Sequence, residues 1–200
     1  MNIINSNTIE KAKQYVSDLL DHQLSKECVF HSKAHTFDVL KNVELIGKYG
    51  NLEEGEMNIL RVSALFHDVG YARTYKGHEL ESVLIAKKFL QRENIDESII
   101  SKISAAIQST KAPQQPKDKL SGILCDADLM HLTYDNYFAQ IEFLRMEWEL
   151  MGIAKMSENE FHINSVIFFN SNEYHSDYGK KILIPKKEKT LKHIKAKIMN

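Results

Sequence analysis

Apolar residues return every three or four positions along almost all of this 200-residue chain, a rhythm that admits helices and little else. Ile9, Ala12, Val16, Leu19 and Leu20 form one stripe and predict a first helix over about 8–23. Asn7, with Glu10 three positions on, reads as its capping box. His35, Val39, Val43 and Ile46 predict a second helix over about 32–48. Met57, Leu60, Ala64 and His67 predict a third over about 53–69, stopped by Gly70. The same period predicts helices over about 78–92, 96–110, 120–132, 134–151 and 158–169, and Pro185 suits the first turn of a last one. Residues 70–77 and the proline-bearing stretch 112–116 read as loops. Only Val166-Ile167-Phe168-Phe169 resembles a strand, and it has no alternating partner. The expected class is all-α, and no Pro/Gly-rich linker divides the chain into more than one domain.

At 43% hydrophobic, the chain can bury one sizeable core. A net charge of −1 creates no field favouring nucleic acid or a membrane surface. The lysine-rich stretch 180–197 reads as a solvated helix face. The N-terminus lacks the apolar region that export requires, and no run approaches a membrane span, so the expected compartment is the cytoplasm. Cys28 and Cys125 are far apart and have no CxxC partner, so both read as small buried hydrophobes.

The chemistry-bearing residues concentrate in three stretches: Phe30-His31-Ser32-Lys33-Ala34-His35-Thr36, Leu65-Phe66-His67-Asp68-Val69-Gly70, and Leu124-Cys125-Asp126-Ala127-Asp128-Leu129. Nitrogen and oxygen donors drawn from separated apolar runs point to one hard or borderline divalent ion. A carboxylate embedded in a core, as Asp68 is expected to be, is costly unless something neutralises it. His31 and His35 are four residues apart and share a helix face. His35 falls on the apolar stripe and is the expected ligand, while His31, one turn nearer the helix start, is placed to donate a proton to a leaving oxygen. Asp126 lies at helical spacing from Ile123 and Leu129 and is expected to face inward. Asp128 reads either as orienting a ligand histidine or as a surface charge.

In the order His…His-Asp…Asp, these segments resemble the signature of the HD superfamily of metal-dependent phosphohydrolases. The first is similar to the family's YHNxxHT segment, with Phe30 for Tyr and Ser32 for Asn. The pieces Gly77-His78-Glu79-Leu80-Glu81-Ser82, Ile107-Gln108-Ser109-Thr110 and Leu144-Arg145-Met146-Glu147-Trp148 resemble a bacterial branch of predicted phosphohydrolases. The resemblance implies an orthogonal helical bundle, with a metal-binding core at about 25–150 and a helical extension at about 151–200. It implies His35, His67, Asp68 and Asp126 as metal ligands and His31, Asp68 and Asp126 as catalytic. Branches that hold two metals add two histidines. Here His78 is the one so placed, and Gln108-Ser109 stands where the second would fall. Tyr71 replaces the lysine of cyclic-dinucleotide hydrolases, and Arg73-Thr74-Tyr75 replaces the acidic pair of (p)ppGpp hydrolases.

The expected cofactor is therefore one divalent ion (Mn, Mg, Co, Ni, Zn or Fe). Arg73 and Lys76 are expected to bind the phosphate, with Lys33, Lys111 and Arg145 as weaker candidates, and His78 to be structural or to face the substrate. The expected activity is hydrolysis of a phosphomonoester or phosphodiester by a metal-activated water. Its expected partner is a small phosphorylated molecule, a nucleotide first of all, with no membrane or nucleic-acid partner and with oligomerisation open. The alternatives are a di-iron oxygenase on the same fold and a non-catalytic nucleotide-binding module.

Overall fold

The computed structural model describes residues 3–199, among which no strand occurs. The helices are α1 (Ser6–Gln23), α2 (Lys33–Tyr49), α3 (Glu54–Phe66), α4 (His78–Arg92), α5 (Glu97–Ser109), α6 (Lys119–Asp128), α7 (Tyr137–Leu150), α8 (Glu158–Ser171) and α9 (Ile184–Met199). Short 3-10 turns follow α3 (Val69–Ala72) and α6 (Leu129–Thr133), and a π-helical turn (Gly179–Leu183) leads into α9.

Most boundaries follow from caps. Ser32 is extended and its hydroxyl accepts from the His35 N–H, so α2 begins at Lys33 and leaves His31 outside it. The carboxylate of Asp118 accepts from Ser121 N–H at 2.8 Å and opens α6. Ser157 and Glu160 form a reciprocal capping box on α8. The cap of α1 is Asn5 rather than Asn7: the Asn5 side-chain oxygen accepts from Thr8 N–H at 2.9 Å, and the helix starts earlier than its apolar stripe. Pro185 sits in the first turn of α9, as its missing N–H allows.

Burying each Leu, Ile, Val or Phe contributes about 1.5–3 kcal/mol. Helix propensities of ordinary residues differ by at most about 0.7 kcal/mol, so packing decides where the helices settle. One core joins α1 to α6 through side chains such as Val16, Val43, Leu60, Leu65 and Ile103. In it α2 lies on α3 and α6, and α4 lies on α5. A second core, including Leu132, Tyr137, Ile141, Phe161, Phe169 and Leu183, joins the turn after α6 to α7, α8 and the C-terminal helix. The strand-like run 166–169 belongs to α8, because Phe161, Ser165 and Phe169 recur every four residues on its buried face while Ile167 is exposed. The lysines of α9 point outward except Lys187, which is half-buried over the Phe169 and Tyr174 rings. Cys28 and Cys125 are buried free thiols. No described helix is long and apolar enough to cross a membrane.

Candidate metal centre and the cavity beside it

Helix α3 ends with its last carbonyls facing His67, which caps it and has no solvent exposure. The Ala64 carbonyl accepts from His67 Nδ1–H at 2.8 Å, which assigns the proton to Nδ1 and leaves a lone pair on Nε2. That Nε2 is buried without a hydrogen-bond partner, 3.2 Å from Asp68 Oδ2 and 3.7 Å from Asp128 Oδ1. His35, in the first turn of α2, brings its own Nε2 to 3.5 Å from Asp68 Oδ2 and 3.3 Å from Asp128 Oδ1. One donor atom each from His35, His67 and Asp128 lies within 4.8 Å of the other two. Asp68 borders the same space, and its other oxygen is 3.5 Å from His78 Nε2.

Two buried carboxylates facing histidine nitrogens need positive charge between them. Burial opposes a charge on His67, yet Asp68 and Asp128 outweigh it and raise its pKa, so the Nε2 lone pair attracts a proton that a divalent ion would displace. Burial likewise works against the Asp68 carboxylate, but His67 and His78 hold it well below the usual range. Asp128 is lowered against burial by His35 and His67. The unpartnered Nε2 and the mixed nitrogen and oxygen donors fit a hard or borderline divalent ion. Two neighbours fix Asp128: Gln114 Nε2 donates to its Oδ2 at 3.0 Å, and His131 Nδ1 lies 2.9 Å from its backbone carbonyl. Burial, and then His35, depress the His131 pKa to about 4, so this ring is neutral near pH 7.

Asp126, the expected distal ligand, is buried but not in this group. Its carboxylate accepts from His175 N–H at 2.7 Å, Ser176 N–H at 2.8 Å and the Ser176 hydroxyl at 2.5 Å. Residues two apart on a helix point about 200° from one another. Asp126 therefore serves the C-terminal segment, while Asp128 reaches the histidines.

His31 lies before α2, so it shares no helix face with His35. Its Nδ1 pairs with Glu147 of α7, and its Nε2 is 3.3 Å from the Tyr71 hydroxyl. The Glu147 side chain is wholly buried and also accepts from Phe30 N–H, His31 N–H and the Tyr75 hydroxyl at 2.8–2.9 Å. Sequence reasoning missed Glu147 and His131. Glu147 left one signal, an acid beside Trp148 in an amphipathic run, and His131 left its three-residue spacing from Asp128.

A family model described as "HD domain" matches residues 33–133, half of the chain. The chain belongs to the HD domain family. The HD fold is also recognisable in solved structures. A Lactobacillus plantarum protein is similar with a TM-score of 0.70 at 12% identity, covering 97% of this chain and 96% of its own. A protein from an uncultured Thermotogales bacterium, described as a predicted HD superfamily hydrolase, is similar with a TM-score of 0.56 at 19% identity, covering 81% of this chain and 91% of its own. At these identities both likenesses are of fold. No curated protein matches.

Beside the candidate metal centre of this HD protein opens a cavity of about 290 Å³. His31, Asp68, His78, Asp128 and His131 border it on the HD side. Its far wall is apolar, with Ile141, Leu144, Trp148, Phe161, Phe168 and Phe169 from α7 and α8, beyond the matched segment. His78 stacks on Tyr71 with ring centres 3.8 Å apart. Of the residues expected to hold phosphate, Arg73 is half-exposed and paired with Glu81 at 3.2 Å, and neither Arg73 nor Lys76 lines the cavity. Lys33 pairs with Asp21, and Arg145 with Glu142. Arg73, Lys33 and Arg145 are thus all paired with acids outside the cavity.

Proposed function

We propose that this HD protein is a metal-dependent phosphohydrolase. The observation that carries the reading is the convergence of His35, His67 and Asp128, with Asp68 beside them, around a buried and unpartnered Nε2. The name of the Thermotogales neighbour, a predicted HD superfamily hydrolase, agrees with it. His35, His67, Asp68 and Asp128 would hold the ion. A divalent ion supplies a lowered water pKa and polarisation of a phosphoryl oxygen in such a site.

The protein's own residues supply the rest. Water oxygen bonds to phosphorus and releases one proton to solvent as the ester P–O bond breaks, the electron pair leaves on the alcohol oxygen, and that oxygen must take a proton. His31 suits this role: it borders the cavity, Glu147 holds its Nδ1, and its Nε2 is 3.3 Å from the Tyr71 hydroxyl, which also borders the cavity. Neutral His131 and the ring of His78 shape the wall around the phosphoryl group. With no lysine or arginine among the described lining residues, the reading is of a phosphoester in general, and a nucleotide is not required.

The test compares bound metal and phosphoesterase activity in the wild type with those in His67→Ala, Asp128→Ala and Asp126→Asn. The first two are expected to lose the ion and at least about 100-fold in activity. Asp126→Asn should unfold at a lower temperature but keep its metal. Phosphoesterase activity that persists in metal-free His67→Ala and Asp128→Ala would sink the reading.

A further inference from the structure

We propose that the chamber behind the candidate metal centre selects esters carrying one phosphoryl group on an apolar alcohol of about one to two rings in size. This rests on the phosphohydrolase reading above and adds the class of substrate.

Four observations carry it. Asp68 and Asp128 of the candidate metal centre border the chamber, so a phosphoryl group beside them and His31 places its alcohol against Leu144, Trp148 and Phe168. The volume of about 290 Å³ exceeds the roughly 150 Å³ of a dry apolar cavity that accepts benzene, which leaves room for a ring system with its phosphoryl group. Charge limits the other end. The ionisable groups on the wall are the acids Asp68, Glu79 and Asp128 and the histidines 31, 78 and 131. The two charges of a divalent ion offset Asp68 and Asp128, and His131 is neutral, so a single phosphoryl group is held through the ion. The further phosphates of a di- or triphosphate would face Glu79 with no arginine or lysine among the described lining residues.

The fourth observation concerns polar handles. Gln114 Oε1 is buried on this wall without a hydrogen-bond partner. The Tyr137 hydroxyl has the Ser165 hydroxyl beside it, which donates to the Phe161 carbonyl at 2.9 Å and keeps a lone pair for the tyrosine O–H, so Tyr137 offers no free handle. Gln114 must turn its amide nitrogen to Asp128, so only its oxygen remains to accept. One such acceptor suits an alcohol with at most one polar donor. A nucleobase and ribose would leave most of their donors and acceptors unpaired against apolar side chains.

Trp148 is the chain's single tryptophan and lines the chamber, so its fluorescence reports occupancy without metal or turnover. Titrating metal-free protein with 1-naphthyl phosphate should give a saturable change at concentrations at least about tenfold below those needed for AMP or glycerol 3-phosphate. With a divalent ion present, kcat/KM should follow the same order, and ATP should be the poorest substrate. Ser165→Leu, which fills the chamber, should weaken naphthyl phosphate and leave glycerol 3-phosphate unchanged. Phe168→Ala, which enlarges it, should move the preference towards larger rings and serves if the first variant does not fold. Equal or tighter binding of AMP, or insensitivity of naphthyl phosphate to both variants, overturns the inference while the phosphohydrolase reading stands. Saturable naphthyl phosphate binding with no hydrolysis of any ester under any divalent ion keeps the chamber's selectivity and removes the phosphohydrolase reading.

Discussion

Glu147 has no solvent exposure and accepts from four donors: two backbone N–H groups, the His31 ring and the Tyr75 hydroxyl. Burial alone would push its pKa up. His31 outweighs that and lowers it from the ordinary 4.5. A carboxyl whose folded pKa is depressed binds fewer protons folded than unfolded, so its stabilisation is complete above the unfolded value and fades as pH falls through the folded one. Glu147→Ala is therefore expected to cost about 3 kcal/mol near neutral pH, since it strands the donors of a buried pair. Urea denaturation should show the gap between wild type and variant shrinking below about pH 4.5. A gap of constant size from neutral pH down through that range would refute the account. At this scale the sequence was only half legible. His35 and His67 fall on apolar stripes and converge as read. The acid on the inward stripe, Asp126, is buried as periodicity demands, but periodicity says nothing about which buried neighbour it meets. Its partners lie about fifty positions away at residues 175 and 176.

Gly70 shows what a helix end can hide. It reads as a stop for α3, yet α3 already ends at Phe66 and Gly70 lies within the following 3-10 turn. Its use is closeness. The Gly70 N–H donates to the Ser82 hydroxyl at 2.9 Å, and a β-carbon added here would collide with the His78 carbonyl. Gly70→Ala should thus destabilise by about 1–3 kcal/mol through overpacking and push α4 off the turn that bears Asp68. Chemical denaturation gives the first effect, and weakened metal retention gives the second. A neutral Gly70→Ala variant would show that the approach is looser than described. Elements with strong stripes coincide with their sequence reading because local and tertiary preferences agree, and α4 does so at residues 78–92 with Gly77 rather than a side-chain cap at its start. Boundaries beside the site drift, because there the chain bends to aim side chains.

At the level of the whole molecule, donors from α2, the end of α3 and the end of α6 meet at one point inside the first core. A ligand that binds only this folded arrangement stabilises it by mass action. An ion present at about a hundred times its dissociation constant should add about 2.7 kcal/mol, or about 5–10 °C in Tm for a chain of this size. A chelator should reverse the gain, and His35→Ala should abolish it. A scanning-calorimetry shift that survives in His35→Ala would place the ion elsewhere. The all-α class was legible in the sequence because period and composition suffice for it. The chamber was not, because its wall forms only when Ile141, Leu144, Phe161 and Phe168 from two helices face the HD segment.

The last turn of α6 presents Asp126 to the segment 175–176 and Asp128 to the histidines. A single rigid rung thus hinges two halves of the molecule back to back. A shift of the segment 175–176 would be felt on the turn that also carries Asp128. The chamber wall and the acid that faces the histidines are thereby tied to one turn of helix.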